Sequence, residues 1–136
     1  MRIVAKRRGN NRYHKPLVRK LVSFNDRNGP PEDWEYVGFY ALDEKNRLIG
    51  GVQGNFEWDW LHILHLWVKE SGKGTGSKLM RRMETLAKKK NKTGIFLDTL
   101  AFQARPFYEK FGFTVMGTID RAAGPHTRYF MVKHLR

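Results

Sequence analysis

Three glycines at every second position, Gly72, Gly74 and Gly76, follow a strongly apolar stretch ending at Val68 and precede a run with helical apolar spacing. Residues without side chains at a helix start leave main-chain N–H groups uncovered, and the helix dipole adds partial positive charge there. Gly72-Lys73-Gly74-Thr75-Gly76-Ser77 therefore reads as a seat for phosphate. Two common phosphate loops do not fit it. A Walker A loop has a glycine five residues before its Gly-Lys pair and a Ser or Thr directly after it, whereas Trp67 and Gly74 stand in those places. A dinucleotide fingerprint counted from Gly72 and Gly74 needs its third glycine where Ser77 stands. No metal constellation is visible either. The chain has no cysteine, and His14, His62, His65, His126 and His134 are scattered, with His62 and His65 expected on opposite faces of one strand.

Ser71-Gly72-Lys73-Gly74-Thr75-Gly76 resembles the pyrophosphate loop, Gln/Arg-x-x-Gly-x-Gly/Ala, of the GNAT superfamily of acetyl-CoA-dependent N-acetyltransferases. A second block, from Asp98-Thr99-Leu100-Ala101 through Tyr108-Glu109-Lys110-Phe111-Gly112-Phe113, is similar to that family's Asn-x-x-Ala-x-x-x-Tyr-Glu-Lys-x-Gly-Phe segment. Ser71 departs from the family's leading Gln or Arg, and the turn is shorter, so one anchoring side chain for the pyrophosphate is missing.

The resemblance, over residues 35–135, implies acetyl-CoA as cosubstrate, no metal, and acetyl transfer to a primary amine by direct attack. It also implies that the backbone of Leu66, Trp67 and Val68 serves the pantetheine and acetyl group. Gly72, Lys73, Gly74, Thr75, Gly76 and Ser77 then hold the pyrophosphate, and Gln103 stands near the family's CoA-contacting asparagine. Such a transfer needs a neutral acceptor nitrogen, a donor for the developing oxyanion and a proton for the departing thiolate. Tyr108 matches the family tyrosine that supplies that proton, and its ordinary pKa of about 10 keeps it protonated at neutral pH. The alternative is a core tyrosine packed on Phe107 and Phe111. For the base, His62 lies six residues before Val68, on the same strand face if alternation is unbroken, where some family members place a carboxylate that acts through water. Glu57, Asp59, His65, Asp98 and water alone are weaker candidates. A small-molecule or peptide amine is the expected acceptor, and its identity stays open among a small amine, an antibiotic, a protein N-terminus or lysine, and an aminoacyl-tRNA.

These residues need a strand, a loop, a helix and a second strand to position them. Trp60–Val68 supplies the first strand, and a helix from about Thr75 to Lys90 presents Leu79, Met80, Met83, Leu86 and Ala87 on one face. Ile95–Thr99 is the buried parallel strand, reached by a right-handed crossover. The ligand is expected at the carboxyl end of Trp60–Val68, in the crevice towards Ile95–Thr99, where GNAT strands splay. Upstream, Glu35–Leu42 and Arg47–Phe56 complete an antiparallel meander. A first strand over Arg2–Arg8 and a helix over Pro16–Phe24 precede them. Downstream, a short helix from about Gln103 to Phe111 leads to a terminal pair, Phe113–Ile119 and Arg128–Lys133. The expected architecture is a single α/β domain, residues 1–136, with a mixed, mostly antiparallel sheet in a GNAT-type fold.

Composition bounds the rest. The 136 residues suffice for one core, no apolar run approaches the length of a membrane span, and no signal-peptide pattern is present. A soluble, cytoplasmic protein is the expectation. The net charge of +13 is spread along the chain, with a cluster at Lys88-Lys89-Lys90-Asn91-Lys92. That charge supports a competing reading, a basic RNA- or ribosome-binding module on a GNAT scaffold with little or no acetyl transfer. Pairing of GNAT sheets makes a homodimer a further expectation, and no membrane contact is expected.

Overall fold

A computed structural model describes residues 1–136, which separate into two compact units, Met1–Asp33 and Trp34–Arg136. In the first unit, residues 1–8 form no strand and are exposed throughout. Four cations in that stretch, with only Ile3, Val4 and Ala5 between them, give no alternating apolar face to pair, which overturns the expectation for Arg2–Arg8. Helix α1 (His14–Asn28) outruns Pro16–Phe24 at both ends. Pro16 falls in the first turn, where a missing N–H costs nothing, and Arg27 and Asn28 extend the far end by bonding to Ser23 Oγ and the Phe24 carbonyl at 2.9 Å each. It buries none of its residues.

The second unit holds six strands in the order β1-β2-β3-β4-β6-β5. They are β1 (Trp34–Leu42), β2 (Leu48–Glu57), β3 (Trp60–Val68), β4 (Gly94–Leu100), β5 (Thr114–Ala123) and β6 (His126–His134). All neighbours are antiparallel except β3 and β4, the parallel pair joined through helix α2 (Thr75–Lys89). The fold is thus the expected mixed, mostly antiparallel sheet of GNAT-like topology, flanked by helices. Helix α3 (Arg105–Lys110) follows β4. It starts later than Gln103 because the Gln103 Oε1 accepts the Leu100 N–H at 2.7 Å and the Thr99 hydroxyl at 3.3 Å, closing a turn before the helix can begin.

Leu79, Met80, Met83 and Ala87 of α2 pack on Val52, Phe56, Leu61, Ile63, Ile95, Leu97 and Met131, so one sheet face and one helical stripe make the core. Lys133 of β6 ties this layer to α2, donating to Glu84 Oε2 at 3.0 Å and to the Phe111 carbonyl at 2.8 Å. Burial alone would raise the Glu84 carboxyl, but the hydrogen bonds from Lys133 and Lys88 hold it below the usual carboxylate range.

Two irregularities reshape the sheet around β3. Strands β3 and β4 pair only over Trp60–His62 and Gly94–Phe96 and then part, leaving the β4-facing edge of Ile63–Val68 free. Opposite, the β2–β3 register slips: Gln53 faces His65 but Gly54 faces Ile63, so Leu64 is an unpaired extra residue, a β-bulge. Gly54 is required there, since a Cβ would stand 2.5 Å from the His62 carbonyl oxygen.

Candidate active site

At the carboxyl end of β3 the chain turns through Gly72 and Gly74, with φ of 77° and 79°. These are left-handed values that glycine adopts without Cβ strain, and no other atom lies within 4 Å of where either Cβ would be. Gly74 is the N-cap of α2, and no side chain caps the helix. The first-turn amides of Thr75, Gly76 and Ser77 are therefore donors without an intrahelical acceptor, at the positive end of a fifteen-residue helix.

These amides open on a cavity of about 360 Å³. Leu66, Trp67, Val68, Gly72, Gly74, Thr75, Gly76, Ser77 and Tyr108 line it, so nine of the residues named from the sequence converge on one space. Glu70, Ser71, Ala104 and Phe107 complete the wall. Ala104 and Phe107 fall inside the second sequence block, but their part in the wall depends on how α3 docks beside β3, which residue spacing does not reveal. A second hollow, about 510 Å³, occupies the gap between the diverging strands and shares Leu66, Trp67, Val68, Ala104 and Tyr108 with the first. Tyr108 thus borders both.

Tyr108 is 7% exposed and packs edge-on against Phe107 and Phe113 with ring centroids 5.3 and 5.9 Å away. Its hydroxyl carries no hydrogen bond from the protein. Burial, and second to it the Asp98 carboxylate, push that hydroxyl up to about 12. Asp98 is itself fixed by Arg128, whose Nη1 lies 2.9 Å from Oδ2.

Three of the sequence candidates lie elsewhere or are otherwise engaged. Lys73 borders a separate hollow beside Asp43 and Lys69, with its Nζ 4.0 Å from Glu70 Oε2. Gln103 borders the wider hollow, but its carbonyl oxygen is committed to Leu100 and Thr99. His62 lines neither cavity. It lies where β3 and β4 are still paired, stacked on Phe96 at 4.3 Å, with Nδ1 3.5 Å from Glu57 Oε1.

The bulge at Leu64 also breaks the alternation on which the placement of His62 depended. Leu61 and Ile63 face the core before it, Leu66 and Val68 after it, so His62 and Val68 occupy opposite faces. His62 and His65 share a face instead of opposing one another, because their partners Asn55 and Gln53 are two apart on β2. His65 borders the wider hollow together with Tyr108.

No three His, Cys, Asp or Glu side chains come close enough to hold a metal ion. No helix is long and apolar enough to cross a membrane.

Comparison with known proteins agrees with this geometry. Among curated proteins, the blasticidin-S acetyltransferase of Streptomyces morookaense is 35% identical over 104 residues, 74% of this chain and 76% of that protein. An acetyltransferase of Agrobacterium fabrum is 30% identical over 101 residues, 73% and 74% of the two chains. The crystal structure of an acetyltransferase from Bacillus cereus superposes with a TM-score of 0.84 at 30% identity, covering 96% of this chain and 98% of that one. Residues 10–113 match the model of the acetyltransferase (GNAT) family. With the uncapped helix, the parted strands and the sequence match all in place, the chain belongs to the acetyltransferase (GNAT) family.

Proposed function

We propose that this protein moves the acetyl group of acetyl-CoA onto a primary amine by direct attack, with Tyr108 as the proton donor to the departing sulfur. The observation that carries the reading is a single cavity with uncapped helix amides at one end and, at the other, the hydroxyl of a tyrosine whose ring is buried. The free edge of Ile63–Val68 fits an extended arm that pairs like an added strand. The open space around Gly72 and Gly74 lets a diphosphate approach the main chain. Acetyl-CoA supplies the activated thioester.

In this reading the main chain of Leu66, Trp67 and Val68 holds the arm, and the amides from Gly72 to Ser77 hold the diphosphate. Tyr108, protonated at neutral pH even at its ordinary value, keeps its proton well into the alkaline range because its hydroxyl is raised. A phenol so raised is a weak acid in water. The same desolvation that raises it also raises a sulfur anion beside it, so donation within the cavity is easier than aqueous values suggest. Blasticidin S, the compound named for the Streptomyces relative, is the first acceptor to test.

Replacing Tyr108 by Phe is expected to lower kcat about 10²-fold or more while leaving the acetyl-CoA dissociation constant, measured by calorimetry, nearly unchanged. Unaltered kcat in that variant removes the residue from the acid role.

A further inference from the structure

We propose that His65 takes the proton from the attacking amine, in a tautomer fixed by a hydrogen-bonded chain through Gln53, Tyr40 and Tyr36. The inference rests on the acetyl-transfer reading and adds to it the second proton-handling group. With strict alternation His65 would follow Leu61 and Ile63 onto the core face. The unpaired Leu64 switches the alternation and turns His65 outward, to the border of the hollow that Tyr108 also borders.

The chain behind it sets which ring nitrogen is free. Gln53 Nε2 donates to the Tyr40 hydroxyl oxygen at 2.8 Å, and that oxygen also lies 2.5 Å from the Tyr36 hydroxyl. With the amide so oriented, Gln53 presents its carbonyl Oε1 to His65 Nδ1 at 3.2 Å. A carbonyl oxygen only accepts, so Nδ1 carries the proton, and in the neutral imidazole Nε2 is left with its lone pair. Main-chain register aligns the members: Tyr40 faces Gly51, Gly38 faces Gln53, and Gln53 faces His65. Gly38 is part of the arrangement, since a Cβ there would meet the Tyr40 and Tyr36 hydroxyls at 2.6 and 2.9 Å. The network has no other evident use. Tyr36 and Tyr40 are 57% and 50% exposed, and the fold gains little from four polar side chains ordered on an open sheet face.

The step balances without a further reactant. The amine nitrogen forms the bond to the acetyl carbon and gives one proton to His65 Nε2. The carbon–sulfur bond breaks, and the sulfur takes one proton from Tyr108. His65 then returns its proton to Tyr108 through solvent, which restores both groups.

The experiment compares wild type, His65→Ala, Gln53→Leu and Gln53→Glu, with blasticidin S, tyramine and a lysine-bearing peptide as acceptors and acetyl-CoA binding followed by calorimetry. His65→Ala is expected to lose about 10²-fold in kcat with acetyl-CoA affinity unchanged, and added imidazole is expected to restore part of the loss. Gln53→Leu should lower kcat about tenfold, whereas Gln53→Glu, which still accepts from Nδ1–H, should retain it. Nitrogen-15 NMR of the wild-type neutral ring should show Nε2 unprotonated. Full turnover by His65→Ala on an amine that wild type acetylates, or an Nε2–H tautomer, overturns the assignment while leaving acetyl transfer intact. A wild-type chain that binds acetyl-CoA but acetylates none of the three amines overturns the acetyl-transfer reading itself, and this assignment with it.

Discussion

Tyr108 is the residue at which packing and the proposed chemistry meet. Its ring is held between Phe107 and Phe113, and only the hydroxyl end borders open space. The shift to about 12 has a consequence independent of any substrate. The folded state holds this proton more tightly than the unfolded chain, whose tyrosine titrates near 10. The contribution is therefore fully present below pH 10 and is lost as pH rises towards 12, at about 1.4 kcal/mol for each pH unit and about 2–3 kcal/mol in all. Urea unfolding of wild type and Tyr108→Phe between pH 9 and 12 tests this. The difference between the two stabilities should move by that amount across the window in favour of the Phe variant. Parallel curves would show that the hydroxyl is not desolvated. Tyr108 could be located from its sequence block alone, because Tyr-Glu-Lys-x-Gly-Phe is a local pattern. His65 could not be preferred over His62, since the choice depends on an unpaired Leu64 that only the cross-strand register with β2 discloses.

The glycine-rich turn and α2 were legible in the sequence as a unit because everything that builds them is local. Alternate glycines, the apolar spacing from Leu79 to Ala87 and the basic last turn all lie within one window, and the helix ends one residue from its expected limit. Trp60–Val68 likewise has its expected bounds. Elements whose limits depend on distant partners were less legible. The Arg2–Arg8 segment has no partner strand at all, and β5 and β6 run on to Ala123 and His126, closing over Gly124-Pro125. The turn also allows a test that separates ligand from fold. A methyl at Gly76 would meet Phe107 at 3.5 Å and Val68 at 3.8 Å, which is ordinary contact, but both residues line the cavity. Gly76→Ala is therefore expected to keep or slightly raise the thermal midpoint, since Ala favours a helix by up to about 1 kcal/mol over Gly. Acetyl-CoA affinity measured by calorimetry should nevertheless fall about tenfold or more. Gly74→Ala, which forces a side chain into φ of 79°, should lose both affinity and about 1–2 kcal/mol of stability. Equal affinity in Gly76→Ala and wild type would mean that the diphosphate does not lie against this turn.

Across the whole molecule, the charge of +13 and the pI of about 10.3 remain to be accounted for. The densest cluster largely serves the fold. Lys88 lies 3.1 Å from Glu84, Lys90 lies 2.7 Å from Glu35, and Lys92 is buried and donates to the Trp58 carbonyl at 2.5 Å. Pairing these lysines locally does not remove the net field, which extends about a Debye length, roughly 8 Å at physiological ionic strength, beyond the surface. Acetyl-CoA carries several negative charges, so the field should speed its capture without altering the chemical step. Raising KCl from 50 to 250 mM is expected to lower kcat/KM for acetyl-CoA several-fold and to leave kcat at saturation nearly constant. A short single-stranded RNA offered in the same assay discriminates the two uses of the charge. If the field serves coenzyme capture, RNA competes weakly and only at low salt, and its inhibition disappears when acetyl-CoA saturates. If the surface is a built polyanion site, RNA binds with a steep salt dependence while acetyl-CoA uptake proceeds unimpeded, because the two anions then occupy different places.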